Sequence, residues 1–395
     1  MKELYFKKKN DCCGCGACIN ICPKGAMELQ NDEYGFKYPV KNKDICIDCG
    51  LCDRVCNFKR EKSDHQFCKE AYAVVSKNSL QAKKSSSGGI FAALAEYIIS
   101  QGGYVCGASW SYEDGGIRAR HIIIDKIDDI RLLQGSKYVQ SDTDGCYKEI
   151  RGLLNEGKSV LFSGTPCQVD GLKGYLRNDY ENLITLDIVC HGVPNAEILS
   201  AYLRYNWEDW NISELSFRDK KMGWGMTGYV KAIKNGKEKT FYITPKNSSY
   251  FSEFINGSIY RDNCYECPYA GYNRPADITI GDFWGVMEEH AEYAKDMNDA
   301  ISAVVLNTEK AKKVFEHMHD SVYYCKSSFE KIAVHNSQLR EPSICPPNRE
   351  ILLDSYAQNG YKAIEDNFVR QRGKKSIKKE NIKLFIKSHR IKLST

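Results

Sequence analysis

The chain has 395 residues, of which 42% are hydrophobic and 27% charged, enough for two or three domains with real cores. These values exclude a disordered chain, a collagen-like repeat and a bundle of membrane spans. The outlier is cysteine, at 18 residues, and the charge is lopsided: the total is +5, but ten basic residues and one acid from Arg370 onward leave −4 for everything before it.

The opening stretch, residues 1–9, has no continuous apolar run and no small-residue cleavage site. A cytoplasmic chain with reduced thiols is therefore expected, and its cysteines read as metal ligands before disulfides. Cys12, Cys15, Cys18 and Cys22 are followed by Cys46, Cys49, Cys52 and Cys56, each 34 residues after its counterpart. The internal repeat C-x2-C-x2-C-x3-C is the spacing of two-cluster bacterial ferredoxins, in which the fourth cysteine of each run serves the other cluster. The expected sets are Cys12, Cys15, Cys18 and Cys56 for one 4Fe-4S cluster, and Cys46, Cys49, Cys52 and Cys22 for the second. In this reading the fourth cysteine begins a helix leading to the other cluster, and Asn57, standing where a second proline is usual, loosens that start. Two zinc ribbons are the alternative, but a zinc site takes four ligands, and these runs overfill each half. Cys13 has no slot and reads as a bystander.

A polar stretch, residues 59–66, reads as a linker, and alternating α/β text follows. Strands are expected at 71–75, 104–108, 121–124, 159–162 and 184–189, with helices at 90–100, near 168–177 and at 195–206. Beyond residue 212 the text turns β-like, at 215–217, 229–233 and 240–243, before a strand at 278–280 and a strand–helix pair at 300–318. The expected class is α/β with α+β parts. A ferredoxin-like module at 1–66 leads into a domain whose two parts are 67–210 and 211–345, the second β-rich. The segment 346–395 is expected as a basic tail, without core-forming density from residue 370.

Cys264-x2-Cys267 also looks metal-directed, and Cys167 and Cys190 each follow a strand-like run, where α/β folds build their sites. A third cubane from these four, or a half-site beside two buried small hydrophobes, both fit the spacing. Three polar loops carry hydroxyls, free amides and a cation: Ser87, Gly88 and Gly89 before a helix, Gly135, Ser136, Lys137, Tyr138 and Gln140, and Ser163, Gly164, Thr165 and Pro166. An anion site at a helix start and a plain serine cap are equally good readings of the first.

Taken together, Ser86–Gly89, Gly135–Gln140, Gly164–Gln168, Cys190–Pro194, Phe217–Lys220, Cys264-x2-Cys267 and Asp277–Gly285 resemble the beta-subunit family of coenzyme F420-reducing hydrogenase and F420-dependent dehydrogenases. The resemblance runs from about residue 70 to about residue 340, with the ferredoxin module fused in front. It implies a flavin-binding α/β domain, FAD contacts from the three loops, and a 4Fe-4S cluster on Cys167, Cys190, Cys264 and Cys267. Coenzyme F420 is then a candidate substrate, although relatives act on unrelated acceptors. His191 reads as a loop histidine or a proton relay, and Arg218 and Lys220 as a receptor for an acidic substrate tail; no general acid stands out.

Two function classes follow: a flavin-dependent iron–sulfur oxidoreductase, or a ferredoxin-like electron-transfer subunit feeding a partner enzyme. Either implies a redox partner protein or a small-molecule acceptor. A nucleic-acid role is not expected at a pI near 8.3, below the basic range of such domains. The basic residues from Arg370 on, interleaved with Ile377, Ile382, Phe385, Ile386 and Ile391, read as an anchor on an anionic membrane or as a solvated tail.

Overall fold

The computed structural model describes residues 2–60, 69–113, 116–291 and 300–394. Cys68 and most of the expected linker at 59–66 lie outside the described residues. The N-terminal part is a small antiparallel sheet of β1 (Lys2–Leu4), β2 (Met27–Asn31) and β3 (Lys37–Asn42), ordered β1-β3-β2. Two matched helical turns, Ala17–Ile21 and Leu51–Val55, pack beside it.

Each turn starts after a left-handed glycine, Gly16 (φ 77°) or Gly50 (φ 69°), and stops at Cys22 or Cys56. The fourth cysteine of each run therefore closes a helix rather than beginning one. The glycine reverses the chain one turn earlier than expected, and Pro23, lacking an N–H, blocks continuation past Cys22.

A nine-stranded mixed sheet dominates the rest. Its strands are β4 (Glu70–Ser76), β5 (Tyr104–Glu113), β6 (Gly116–Ile124), β7 (Ser141–Asp142), β8 (Val160–Gly164) and β9 (Leu183–Ile188). After a separate antiparallel sheet of β10 (Asn211–Ser216), β11 (Gly228–Lys234) and β12 (Lys237–Ile243), the large sheet resumes with β13 (Ile278–Asp282), β14 (Ser302–Leu306) and β15 (Val322–Ser327). The order is β15-β4-β14-β13-β9-β8-β5-β6-β7, with β13, β9, β8 and β5 parallel. The chain after residue 211 thus completes the sheet begun before it, and the parallel centre is where crossover helices must cover both faces.

Side chains alternate accordingly. Val74, Val105, Leu161, Leu186 and Val304 face the helices Ile90–Ser100 and Glu309–Met318. Cys106, Val160 and Phe162 face the helices Cys146–Asn155 and Pro166–Leu176.

The helix Pro166–Leu176 also receives the N-terminal part. A Cβ at Gly171 would lie 2.7 Å from Cys15 Cβ, and one at Gly174 would lie 2.5 Å from the Val55 carbonyl oxygen. Three residues apart, these glycines form one bare stripe on which both helical turns sit. Arg60 and the buried Asp170 form an ion pair at its edge.

The segment 346–395 is helical, at Arg349–Asn359, Lys362–Arg372 and Lys374–Ser394. The first two helices bury Leu352, Leu353, Tyr361 and Ile364 in an aromatic core with Tyr202, Phe217, Tyr250 and Phe251. The third is anchored by buried Leu384 and by Lys387 donating to the Met222 carbonyl at 2.7 Å, while Ile382, Phe385 and Ile386 stay exposed. No described helix is long and apolar enough to cross a membrane.

Candidate metal centre

The N-terminal cysteines gather in two groups. Cys12, Cys15, Cys18 and Cys56 line a largely apolar cavity with Cys13, Phe6, Leu29, Pro39 and Phe58. Cys22, Cys46, Cys49 and Cys52 line a second with Lys24, Lys41, Asp48 and Asp53. Each cavity thus takes three cysteines from one run and the fourth from the other. Among the described residues, no three His, Cys, Asp or Glu side chains converge closely enough for a single metal ion. The donors surround spaces instead, and thiolate sets of this kind suit a multi-iron cluster.

Backbone amides already address the sulfurs: Gly14 N donates to Cys12 Sγ at 3.4 Å and Asp48 N to Cys46 Sγ at 3.4 Å, 34 residues apart. Burial pushes the Cys12 and Cys18 thiols up, and the Cys56 thiol to about 11. Without metal these sites therefore hold protons, which iron must displace. Cys12 and Cys56 of the first cavity are buried, whereas Cys49 of the second is exposed.

A further four cysteines lie near one another beyond the ends of two central strands. Cys167 lies in the first turn after β8, Cys190 just beyond β9, Cys264 within the turn Asp262–Glu266 and Cys267 at its end. Burial raises the Cys190 thiol well above its usual range, and the neighbouring Cys264, Cys167 and Cys267 raise it further. Cys264 is pushed up to about 12, again by burial first. Cys167 is the exception: a hydrogen bond from Cys13 lowers it, assisted by the Thr165 hydroxyl at 3.1 Å.

Cys13 is therefore no bystander. It is buried, with hydrogen bonds to Cys15 and Cys167 raising its thiol, so it stands between the first cavity and the third quartet. Asn57 reinforces the join, donating to the Cys167 carbonyl at 3.0 Å. Neither role was legible in the sequence beyond the doubling of Cys12 and Cys13.

The polar loops divide into two groups at this same edge of the sheet. Ser136 N and Oγ both lie 2.9 Å from Ser86 Oγ, joining the Gly135 loop to the Ser87–Gly88–Gly89 loop. Arg218 pairs with Asp282 at 2.8 Å beside them, and Lys220 donates to the carbonyls of Ala82 and Ser87. Ser87 Oγ donates to the Ile301 carbonyl at 2.9 Å. Lys137 Nζ caps the helix Ile130–Leu133, reaching the carbonyls of Leu133, Gln134 and Gly135, and burial pushes it down to about 7.

The second group faces the cysteines. Gln140 Nε2 donates to the carbonyls of Cys13 and Gly14, at 3.1 and 3.3 Å. The Ser163 carbonyl meets the His121 ring, and Thr165 and Pro166 open the helix after Gly164, with Thr165 and Gln168 forming a capping box. Tyr138 spans the two groups, stacked on Phe254 and 3.5 Å from Arg218 Nη1. His191 is exposed on the rim, its carbonyl accepting from Ser343.

Comparison with known proteins agrees with this division. Residues 11–59 match the 4Fe-4S dicluster domain, and residues 157–331 match the family described as the C terminus of the coenzyme F420 hydrogenase/dehydrogenase beta subunit. Among solved structures, the chain is similar to one from the F420-reducing [NiFe] hydrogenase complex of Methanosarcina barkeri, at 14% identity and a TM-score of 0.45, covering 79% of this chain and 95% of that one. No curated protein matches by sequence. The chain thus joins a stretch similar to a 4Fe-4S dicluster domain, which holds Cys12 to Cys56, to a stretch similar to the C terminus of the coenzyme F420 hydrogenase/dehydrogenase beta subunit, which holds Cys167, Cys190, Cys264 and Cys267.

Proposed function

We propose that the chain is a flavin-dependent iron–sulfur oxidoreductase. Its clusters would be held by Cys12, Cys15, Cys18 and Cys56, by Cys22, Cys46, Cys49 and Cys52, and by Cys167, Cys190, Cys264 and Cys267. The observation that supports the reading is the neighbourhood of the later cysteines: Cys167 is next to Cys13, and Cys264, Cys167 and Cys267 all act on Cys190. Ser87, Gly88 and Gly89, Gly135 to Tyr138, Gln140, and Ser163 to Pro166 are the proposed FAD contacts. FAD, when bound, supplies the conversion of a two-electron hydride step into single electrons. The chain's part is to seat the cofactor on amides and cations and to keep the path to the cysteines short and dry. Coenzyme F420 is the first candidate substrate to assay, followed by other hydride acceptors.

One observation favours a second reading, a non-catalytic electron-transfer subunit. Lys137, Gln140 and Thr165 already spend their polar atoms on the protein itself. The two readings separate cleanly. Acid destruction of the clusters in anaerobically purified protein should leave about one extractable FAD per chain under the first, and colourless extract under the second. Under the first, Lys137→Met should also weaken FAD retention at least tenfold, about the worth of one charge-assisted bond, with iron content unchanged. Equal FAD occupancy in the variant would remove Lys137 from the contact set.

The exposed surface around Cys49 is the proposed docking place for a redox partner protein. All 17 described cysteines are free, which supports a reducing, cytoplasmic setting. The helix Lys374–Ser394 is proposed to rest on an anionic membrane through Ile382, Phe385 and Ile386, each nearby Lys or Arg adding on the order of 1 kcal/mol. Full-length protein should then co-sediment with anionic vesicles at low salt and be released at high salt. A chain with serine at those three positions should stay in the supernatant, and equal pelleting of the two would reduce the charge to solvation.

A further inference from the structure

Arg261 is the largest fully buried side chain, at 0% exposure, and a guanidinium keeps its charge in any protein setting. Its Nε donates to the Cys12 carbonyl at 2.8 Å, and its Nη1 to the Lys37 carbonyl at 2.9 Å and to Gln140 Oε1 at 3.4 Å. Nη2 points at Cys12 Sγ, 3.4 Å away, and the Tyr38 ring lies 4.0 Å beneath the guanidinium. No described carboxylate forms a salt bridge with it. The adjacent Asp262 is taken by Tyr38 and Arg349, at 3.0 and 3.1 Å. A buried cation answered only by carbonyls, an amide and a ring is an expensive arrangement, unless an anion completes it. Among the described residues, the anionic candidates are cysteine sulfurs: that of Cys12 at 3.4 Å, with those of Cys13 and Cys264 also acting on the guanidinium. The chain guards the approach: Gly14 sits at φ 69°, and a Cβ there would lie 3.2 Å from the guanidinium carbon.

The second cavity has nothing comparable among the described residues. None of its cations is buried: Lys24 and Arg54 are exposed, Arg54 donating to the Cys49 carbonyl at 2.9 Å, Lys41 pairs with Asp48 at 2.6 Å, and the Asp48 carboxylate lies 3.6 Å from Cys46 Sγ. Hydrogen bonds to cluster sulfurs, net charge and exposure set the potential of a 4Fe-4S cluster. A buried positive donor stabilises the reduced, more negative state, whereas a neighbouring carboxylate opposes it.

We propose that Arg261 makes the Cys12–Cys15–Cys18–Cys56 cluster the higher-potential member of the dicluster pair, so that electrons entering at the exposed Cys49 side settle at the inner cluster beside Cys13. This rests on the iron–sulfur reading above. Arg261 is a positioning residue in this scheme: it acts through Cys12 and touches no substrate.

Potentiometric titration of the anaerobic full-length protein, read by electron paramagnetic resonance, tests it. Cys12→Ser and Cys46→Ser each abolish one wave and so assign the inner and outer clusters. In the wild type, the wave lost in Cys12→Ser should lie at the higher potential. Arg261→Gln should move that wave alone to lower potential, by about tenfold or more in the one-electron equilibrium, roughly 59 mV. Arg261→Lys, which keeps the charge, should recover most of the shift. An outer wave at the higher potential, or an Arg261→Gln inner wave that does not move, overturns the proposal. Should Arg261→Gln fail to fold, the wild-type order and the Arg261→Lys shift decide. Iron content separates the levels: full iron with unmoved waves defeats only the role of Arg261, whereas iron-free protein defeats the iron–sulfur reading itself.

Discussion

Replacing Gly174 by valine will unseat the dicluster domain. The new Cβ would stand 2.5 Å from the Val55 carbonyl oxygen and 2.9 Å from Arg60 Nε, with backbone that has nowhere to retreat. Val55 is itself fully buried and immediately precedes Cys56, so any shift is passed directly to a cysteine of the inner cavity. Overpacking against side chains costs about 1–3 kcal/mol, and a collision with backbone lies at or above that range. At ~2–4 °C per kcal/mol, the thermal midpoint should fall by several degrees. Electron transfer between the dicluster domain and the rest of the chain should slow by at least tenfold, because the contacts of Cys13 and Asn57 with Cys167 depend on the same seating. Gly174→Ala tests the steric argument by degree, since its single methyl should give a smaller loss of the same kind. Unchanged stability and transfer in Gly174→Val would mean that the two parts are not docked as described.

The second large effect belongs to Cys264. Cys264→Ser replaces a soft thiolate with a hard hydroxyl that holds iron poorly. Iron should fall by about four atoms per chain, while the dicluster domain keeps its spectroscopic signal. The ligands of that domain come from residues 12–56, and nothing in the cavity walls requires Cys264. Iron unchanged in this variant would show that Cys264 and Cys267 are not a ligand pair.

What could be read from the sequence was whatever repeats or alternates locally. The 34-residue interval predicted which cysteines share a cavity, because the crossing of the fourth cysteine is built into the spacing. The short apolar run at 160–162 became β8, and the alternating Ile184, Thr185, Leu186, Asp187 and Ile188 became β9. Spacing left the third quartet undecided. Cys167 and Cys264 are nearly a hundred residues apart; the parallel pairing of β8 and β9 sets Cys167 near Cys190, while Cys264 comes from a separate turn.

The residues that sequence reasoning missed share a feature: their partners are remote. Arg261 answers Cys12 across 249 positions, Asn57 answers Cys167 across 110, and Gln140 answers Cys13 across 127. No local pattern encodes such pairs. The end of the chain was misjudged for a related reason. Tyr361, Ile364 and Phe368 keep helical spacing in a charged stretch, and Tyr361 and Glu365 reach the Ser249 hydroxyl and seat that helix on the aromatic core. Beyond residue 370 the apolar positions fall irregularly, yet Leu384 is buried there.

The central claim is that three clusters and a flavin form one path through this chain. Iron, acid-labile sulfide and flavin counted together on anaerobically purified full-length protein test it most directly. About twelve iron atoms, an equal amount of sulfide and about one FAD per chain are expected. About eight iron atoms with no flavin would contradict it, leaving the dicluster pair alone and the chain an electron carrier rather than an enzyme.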